Sequence, residues 1–322
     1  MLIYDKAYIE IRNKYILPLT EYTVQYKSLR KNNIKEILVS KFISVTEKDN
    51  KALMFSFETD VLYKGLLGDI QMFYLRYLLQ RRDVIEIEPL SLSPNWNIVT
   101  HYYEAFFAAS LLLRLLHRGN IFLGGKVKRE LERLVGCNLG YAVALDSNQF
   151  YEIVQENGKE YLKMQKGNSN THELVWEKMD QIIDEMLLLS RTNSSEKILL
   201  SSIKKINSRL SKTYPSQIRN RVNYQPQYGL ETLERKIYSV NPNMYWVEFL
   251  LKNDAISWND ENSVVNALFC YKQYITQLCS NLIAEYFTIK GNSNGVLKKY
   301  NEYTGENQQM KCVIYNIEPN RD

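Results

Sequence analysis

The chain has 322 residues and a mass of 38.0 kDa, with 45% hydrophobic and 24% charged side chains. That balance, with a mean hydropathy of -0.35, excludes wholesale disorder and provides for a sizeable core over a length typical of about two domains. The net charge of +5 says little about partners until its distribution along the chain is considered.

Residues 1–91 read as a mixed α/β region. Ile37, Val39, Ile43 and Val45 alternate with polar neighbours, Glu47-Lys48-Asp49-Asn50 is turn-like, and Ala52 to Phe57 is apolar, a pattern that predicts a hairpin. Asp69 to Arg82 predicts a helix with Ile70, Phe73, Tyr74, Tyr77 and Leu78 on one face. Ser93-Pro94 then marks a helix start, because serine caps the first amides and proline at the first position loses no needed donor. This helix runs to about His117 and is apolar nearly all round, which marks it as central and buried. Its longest apolar stretch, Ala105 to Leu116, is broken by Ser110 and Arg114 and falls short of the ~20 residues a membrane span needs. The first residues also lack the basic segment and apolar run of a secretion signal, so the expectation is a cytoplasmic protein without membrane association.

Gly119, Gly124 and Gly125 read as a turn before a short basic helix, Lys126 to Val135. Asn157-Gly158, between Phe150, Ile153, Val154 and Tyr161, Leu162, Met164, predicts a β-hairpin near 149–165, inserted between helices at the surface. A helix begins near Asn170, with Glu173 three residues on, and carries Val175, Met179, Ile182, Ile183, Met186 and Leu189 at helical spacing. The next begins at Ser194 or Ser195, buries Leu199, Ile203, Ile206 and Leu210, and carries Lys205, Arg209 and Lys212 on a separate face. After Asn259-Asp260, the stripe Val264, Leu268, Tyr271, Ile275, Leu278 and Leu282 predicts a long helix inside a bundle. Lys-Gly-Asn-Ser-Asn at 166–170 and again at 290–294 reads as two polar turns.

Several chemistries fail on spacing. Cys137, Cys270, Cys279 and Cys312 form no Cys-x-x-Cys pair and read as reduced, mostly buried thiols. Of the three histidines, 101, 117 and 172, none has a second ligand at metal spacing. His172-Glu173 meets Trp176 where a zinc-protease helix needs its second histidine. The glycines ahead of Lys126 lack phosphate-loop spacing, and Val127 stands where a magnesium ligand is required. No metal and no cofactor is predicted.

Residues 191–240 hold ten lysines and arginines against Glu196, Glu231 and Glu234, which leaves the rest of the chain slightly acidic. An anionic partner is sought there first. Within the block, Arg219, Asn220 and Tyr224 bring together a fixed cation, an amide and a phenol that together could clamp a phosphodiester. The bland alternative pairs Arg219 with a carboxylate and packs Tyr224 into the bundle.

Two segments carry a resemblance. Residues 96–116, WNIVTHYYEAFFAASLLLRLL, resemble the first conserved helix of HEPN-domain proteins, a tyrosine pair ahead of Ala-Phe-x-Ala and a leucine-rich turn. Residues 219–224, RNRVNY, resemble that family's second signature, Arg, four to six residues, then His, in a variant ending in Tyr. The resemblance implies a HEPN-like up-and-down helical bundle that commonly forms a homodimer. It also implies RNA as the partner and, in active members, a metal-independent ribonuclease of a prokaryotic toxin–antitoxin or antiviral defence system. A nucleotidyltransferase or ATPase is a possible partner protein. Carried over by position, Arg219 is the arginine, Asn220 the polar residue after it, and Tyr224 stands for the general acid/base histidine. A free tyrosine titrates near 10 and a histidine near 6.5, so the substitution weakens proton transfer, and His101 is the candidate for the missing imidazole.

The resulting expectation is a mainly α protein: a small N-terminal α/β portion (1–91), a HEPN-like bundle with a hairpin insertion (92–290) and a C-terminal extension (291–322). Arg219, Asn220, Tyr224 and His101 form the site, and Lys204, Lys205, Arg209, Lys212 and Arg221 contact RNA. If it cuts RNA, the ribose 2′-hydroxyl attacks the adjacent phosphate while Arg219 stabilises the phosphorane charge. The rival reading is a catalytically inactive scaffold that binds a partner protein. A helical protein of another lineage would bury Arg219 against a carboxylate.

Overall fold

A computed structural model describes residues 6–48, 52–87, 94–167, 170–225, 248–250, 256–290 and 298. Helix α1 (Lys6–Ile11) runs on through a π-helical turn (Arg12–Ile16) and a last turn (Leu17–Leu19). α2 (Ile34–Ser40) follows, where alternation had predicted a strand. Asn33 decides the matter locally, since its side chain accepts from the Glu36 amide and caps a helix that buries Ile34, Ile37 and Leu38. The expected hairpin is present one step later, as β1 (Ser44–Lys48) and β2 (Ala52–Ser56).

α3 (Thr59–Ile87) begins ten residues before the predicted Asp69. Gly65 and Gly68 disguise its first turns, and their reason is tertiary: a Cβ on Gly68 would lie 1.6 Å from the Asn32 carbonyl oxygen. α4 (Pro94–Leu115) is the buried helix expected, although the proposed cap Ser93 lies outside the described residues. α5 (Gly125–Leu139), α6 (Thr171–Leu189), α7 (Ser195–Leu210), α8 (Tyr214–Tyr224) and α9 (Glu261–Lys290) complete the helices described here. Asn170 and Ser194 cap α6 and α7 by accepting from Glu173 N and Lys197 N. All six residues of the predicted stripe on α9 are buried. α3 and α9 flank α4, and Tyr8 and Arg12 both hold Glu285 near the end of α9.

The sheet overturns the predicted fold class. β3 (Arg118–Phe122), β4 (Asn148–Glu156) and β5 (Lys159–Lys166) join the first two strands in one antiparallel sheet of order β1-β2-β5-β4-β3. Asn157 and Gly158, at φ 51° and 74°, make the expected tight turn between β4 and β5. That hairpin is not, however, a surface insertion in a HEPN-like bundle. β5 pairs Leu53–Ser56 of β2 while β4 pairs β3, so it forms the middle of a sizeable sheet that also takes in the N-terminal strands. Alternation along β4 serves two layers: the Tyr151 hydroxyl reaches Asp69 on α3, and Lys178 of α6 sits 4.4 Å from the Phe150 ring.

β3 is the strand that Gly119 concealed. The glycine is needed because the Tyr151 ring lies over it, and a Cβ there would meet Tyr151 Cε1 and Oη at 2.7 Å. Gly119→Ala is expected to cost about 1–3 kcal/mol by overpacking. Urea unfolding checks this, and an unchanged midpoint would mean that Tyr151 moves aside freely.

Among the described residues no helix is long and apolar enough to cross a membrane. Cys270 and Cys279 are buried as expected, whereas Cys137 is exposed; Cys312 lies outside the described residues.

Candidate functional site

Three successive residues of α4 face three different neighbours, because each step around a helix turns by about 100°. His101 faces α9, Tyr102 faces α6, and Tyr103 faces α8. The candidate site is the meeting of the last two directions.

α8 starts with Pro215 in its first turn and buries Tyr214, Pro215, Ser216 and Ile218, with the Tyr214 hydroxyl donating to the Ala267 carbonyl of α9. This anchoring leaves Arg219 half-buried at the edge of the core. Its Nη1 donates to Asn220 Oδ1 at 2.7 Å and its Nη2 to the Tyr103 hydroxyl at 3.2 Å, while Nε is buried and unpartnered among the described residues. No carboxylate pairs with Arg219 there, in contrast to the bland alternative.

Tyr224 makes no hydrogen bond to the group among the described residues, although it lies near enough to act electrostatically on Arg219. α8 continues through it, so its position lies roughly 140° around the helix from Arg219, and it is 72% exposed. His101 is also placed elsewhere. It is 7% exposed, its Nδ1 lies 2.9 Å from Lys272 Nζ, and Lys272 in turn pairs with Glu104 at 2.9 Å. Burial and the neighbouring ammonium hold His101 well below the usual histidine range, so it stays neutral inside the bundle. The proposed role for His101 at the Arg219 site is corrected accordingly.

The basic residues divide. Lys204 is consumed by Asp180 and Asp184 of α6, at 2.8 and 2.9 Å. Arg221 stacks over the Trp258 ring at 3.9 Å. Lys205, Arg209 and Lys212 are exposed, and Lys205 lines an open surface groove of about 310 Å³ with Lys197, Thr192, Ser201 and Ser202. Arg235 and Lys236 of the basic block lie outside the described residues.

The group that the sequence reading missed is His172, in the first turn of α6. Its ring lies 4.4 Å from Phe106 and 6.0 Å from Tyr103, and its Nδ1 is 2.8 Å from the Tyr102 hydroxyl. Trp176 Nε1 donates to that same hydroxyl at 3.4 Å. Burial, aided by the Arg219 charge, lowers the His172 pKa to about 4, so the imidazole is neutral at neutral pH. The available signal was His172 with Trp176 four residues on, a pair dismissed as a failed zinc motif. Nothing local could connect it to residues 103 and 219.

Tyr103, His172, Arg219 and Asn220 thus form one partly exposed group: a fixed guanidinium with donors unpaired among the described residues, a neutral imidazole, a phenol and an amide. Arg219 can bind an anionic oxygen and His172 can exchange a proton near it. Among the described residues no cluster of three or more His, Cys, Asp or Glu is arranged to hold a metal ion. Comparison with protein-family models, with curated proteins and with solved structures finds no match for this chain.

Proposed function

We propose that the protein binds RNA at Arg219 and cleaves it as a metal-independent endoribonuclease of the toxin or defence kind that its two HEPN-like motifs imply. The observation that carries this reading is the unpaired capacity of Arg219. A guanidinium has five N–H donors, and among the described residues Nη1 and Nη2 each make one bond to a neutral partner while the buried Nε makes none. A phosphodiester satisfies such a group, and the charge that builds on its oxygens in the transition state satisfies it further.

Aromatic surface supports the same reading. Trp96, Tyr103 and Phe107 recur at seven and four residues on α4 and so share a face; Trp96 is 66% exposed and the other two are partly exposed. Bases stack on such rings without regard to sequence. The exposed Lys205, Arg209 and Lys212 add positive potential for the backbone.

The test is cleavage of total RNA in EDTA by the wild type and by Arg219→Ala, after circular dichroism shows both equally folded. Loss of one donor to developing charge costs roughly 10²–10³ in rate, so Arg219→Ala is expected to fall by that factor. Equal cleavage by both proteins would sink the assignment of the site. The second reading, an inactive interaction subunit, draws on Leu188 and Ile198, apolar residues of the α6–α7 pair that are 86% and 51% exposed. No cleavage by either protein, with or without divalent cations, would favour it.

A further inference from the structure

We propose that His172 is the proton-transfer residue of the Arg219 site, with Tyr102 as the positioning residue that orients its ring; this rests on the RNA-cleavage reading above.

The start of α6 is firmly placed. Asn170 caps it, and the Thr171 hydroxyl bonds Asn148 Oδ1 on β4 at 3.1 Å, so the backbone of His172 is held between the sheet and the helices. The ring is then fixed by Phe106, by Tyr103 standing nearly perpendicular at 72°, and by the bond from Nδ1 to Tyr102. A bond at Nδ1 leaves Nε2 as the nitrogen available to a substrate, and Nε2 has no hydrogen-bond partner among the described residues.

A general base at this place uses the tautomer protonated at Nδ1, in which the Tyr102 oxygen, already accepting from Trp176 Nε1, accepts from His172 as well and Nε2 is unprotonated. The charged and titratable groups facing the ring are Tyr102 and Tyr103 from α4 and Arg219 from α8. Burial, aided by the Arg219 charge, keeps the resting imidazole neutral, and in the proposed complex the attacked phosphate lies between the two side chains.

The step balances as follows. The ribose 2′-hydroxyl gives its proton to His172 Nε2 as its oxygen bonds to phosphorus. The bond from phosphorus to the 5′-oxygen breaks, and that oxygen takes a proton from the imidazolium. The products are a 2′,3′-cyclic phosphate end and a 5′-hydroxyl end, and His172 returns to its starting state. His101, enclosed with Lys272, is not placed for this transfer, and Tyr224, on the exposed side of α8, makes no hydrogen bond to the group among the described residues.

Cleavage of a single-stranded RNA in EDTA by the full chain tests the proposal. His172→Ala is expected to lower kcat by roughly 10²–10⁴-fold with KM changed little, whereas Tyr224→Phe is expected to be near wild type. Added imidazole is expected to restore part of the activity of His172→Gly, which a purely structural histidine would not allow. Wild-type cleavage that Arg219→Ala abolishes and His172→Ala leaves intact would keep the RNA-cleavage reading and overturn this inference. No cleavage by the wild type would overturn both. A second measurement avoids variants: the chain has three histidines, so imidazole ¹⁵N resonances can be followed on adding an uncleavable 2′-deoxy oligonucleotide. The expected result is a shift at His172 Nε2 with His101 and His117 unmoved; an unmoved His172 would overturn the proposal.

Discussion

Arg114→Met is expected to destabilise the protein by about 3–5 kcal/mol, the usual cost of leaving one member of a buried ion pair alone. The Arg114 side chain is 3% exposed, and its Nε lies 3.5 Å from Asp69 Oδ2. Nη1 and Nη2 donate to the carbonyls of Ser110 and Asn120, each at 2.9 Å, and the guanidinium lies 3.5 Å from the centre of the Phe73 ring. Asp69 also receives the Tyr151 hydroxyl at 3.4 Å. One charge pair therefore joins α3, α4, β3 and β4, and removing the cation leaves the Asp69 carboxylate buried without a counter-charge. Burial already pushes the Asp69 carboxyl upward while Arg114 opposes that push. In the variant the largest opposing influence is gone and only the bonds from the Ile34 backbone and the Tyr151 hydroxyl still favour the carboxylate, so its deficit relative to the wild type should shrink as pH falls and Asp69 protonates. Urea unfolding of Arg114→Met, Asp69→Leu and the double variant checks the account. The double variant should lose clearly less than the two single losses added together, because it leaves no buried charge. Strict additivity would show that the two residues do not act as a pair.

Acidification from pH 6.5 to 4 is expected to remove about 3 kcal/mol of stability through His117 alone. His117 is buried at a backbone φ of 59°, and its Nε2 lies 2.9 Å from the Tyr15 carbonyl oxygen. Burial lowers its pKa to about 4; the bond to Tyr15 opposes the shift, and the charges of Lys14 and Arg118 assist it. Between the unfolded value near 6.5 and the folded value, the unfolded chain binds the proton that the folded chain refuses. Stability is thus complete above pH 6.5 and falls through that window. His101 acts in the same direction. His117→Asn, which tolerates the positive φ and does not titrate, should show a shallower loss between pH 6.5 and 4.5 in urea unfolding. A slope equal to that of the wild type would remove His117 as the cause.

Both results concern contacts that sequence reading had assigned differently or passed over. Arg114 read as an interruption in an apolar helix, and its partner Asp69 read as the first residue of a helix that in fact starts ten residues earlier. A charged residue on an otherwise apolar helix implies a buried partner, but 45 positions of chain separate the two. The same limit applied to Lys204. Its place on a basic helix suggested RNA, and only the packing of α7 on α6 brought Asp180 and Asp184 to it.

What the sequence determined by itself is the local grammar. Asn33, Asn170 and Ser194 each cap a helix by accepting an amide three residues on, and Asn157-Gly158 closes a hairpin through two positive φ values. The expectation of a buried central helix at 94–115 and of an apolar stripe on the last long helix rests on spacing within one turn or two. Such features depend on neighbours within a few residues, so the pattern contains its own cause, even where a cap such as Asn33 was overlooked. Tertiary structure alone decided that two distant hairpins share one sheet, that Gly119 belongs to a strand because Tyr151 covers it, and that His172 comes near Arg219 while His101 is enclosed with Lys272. Strand partners and the groups of a site are selected by packing free energy summed over the whole core, and no short window of sequence records that sum.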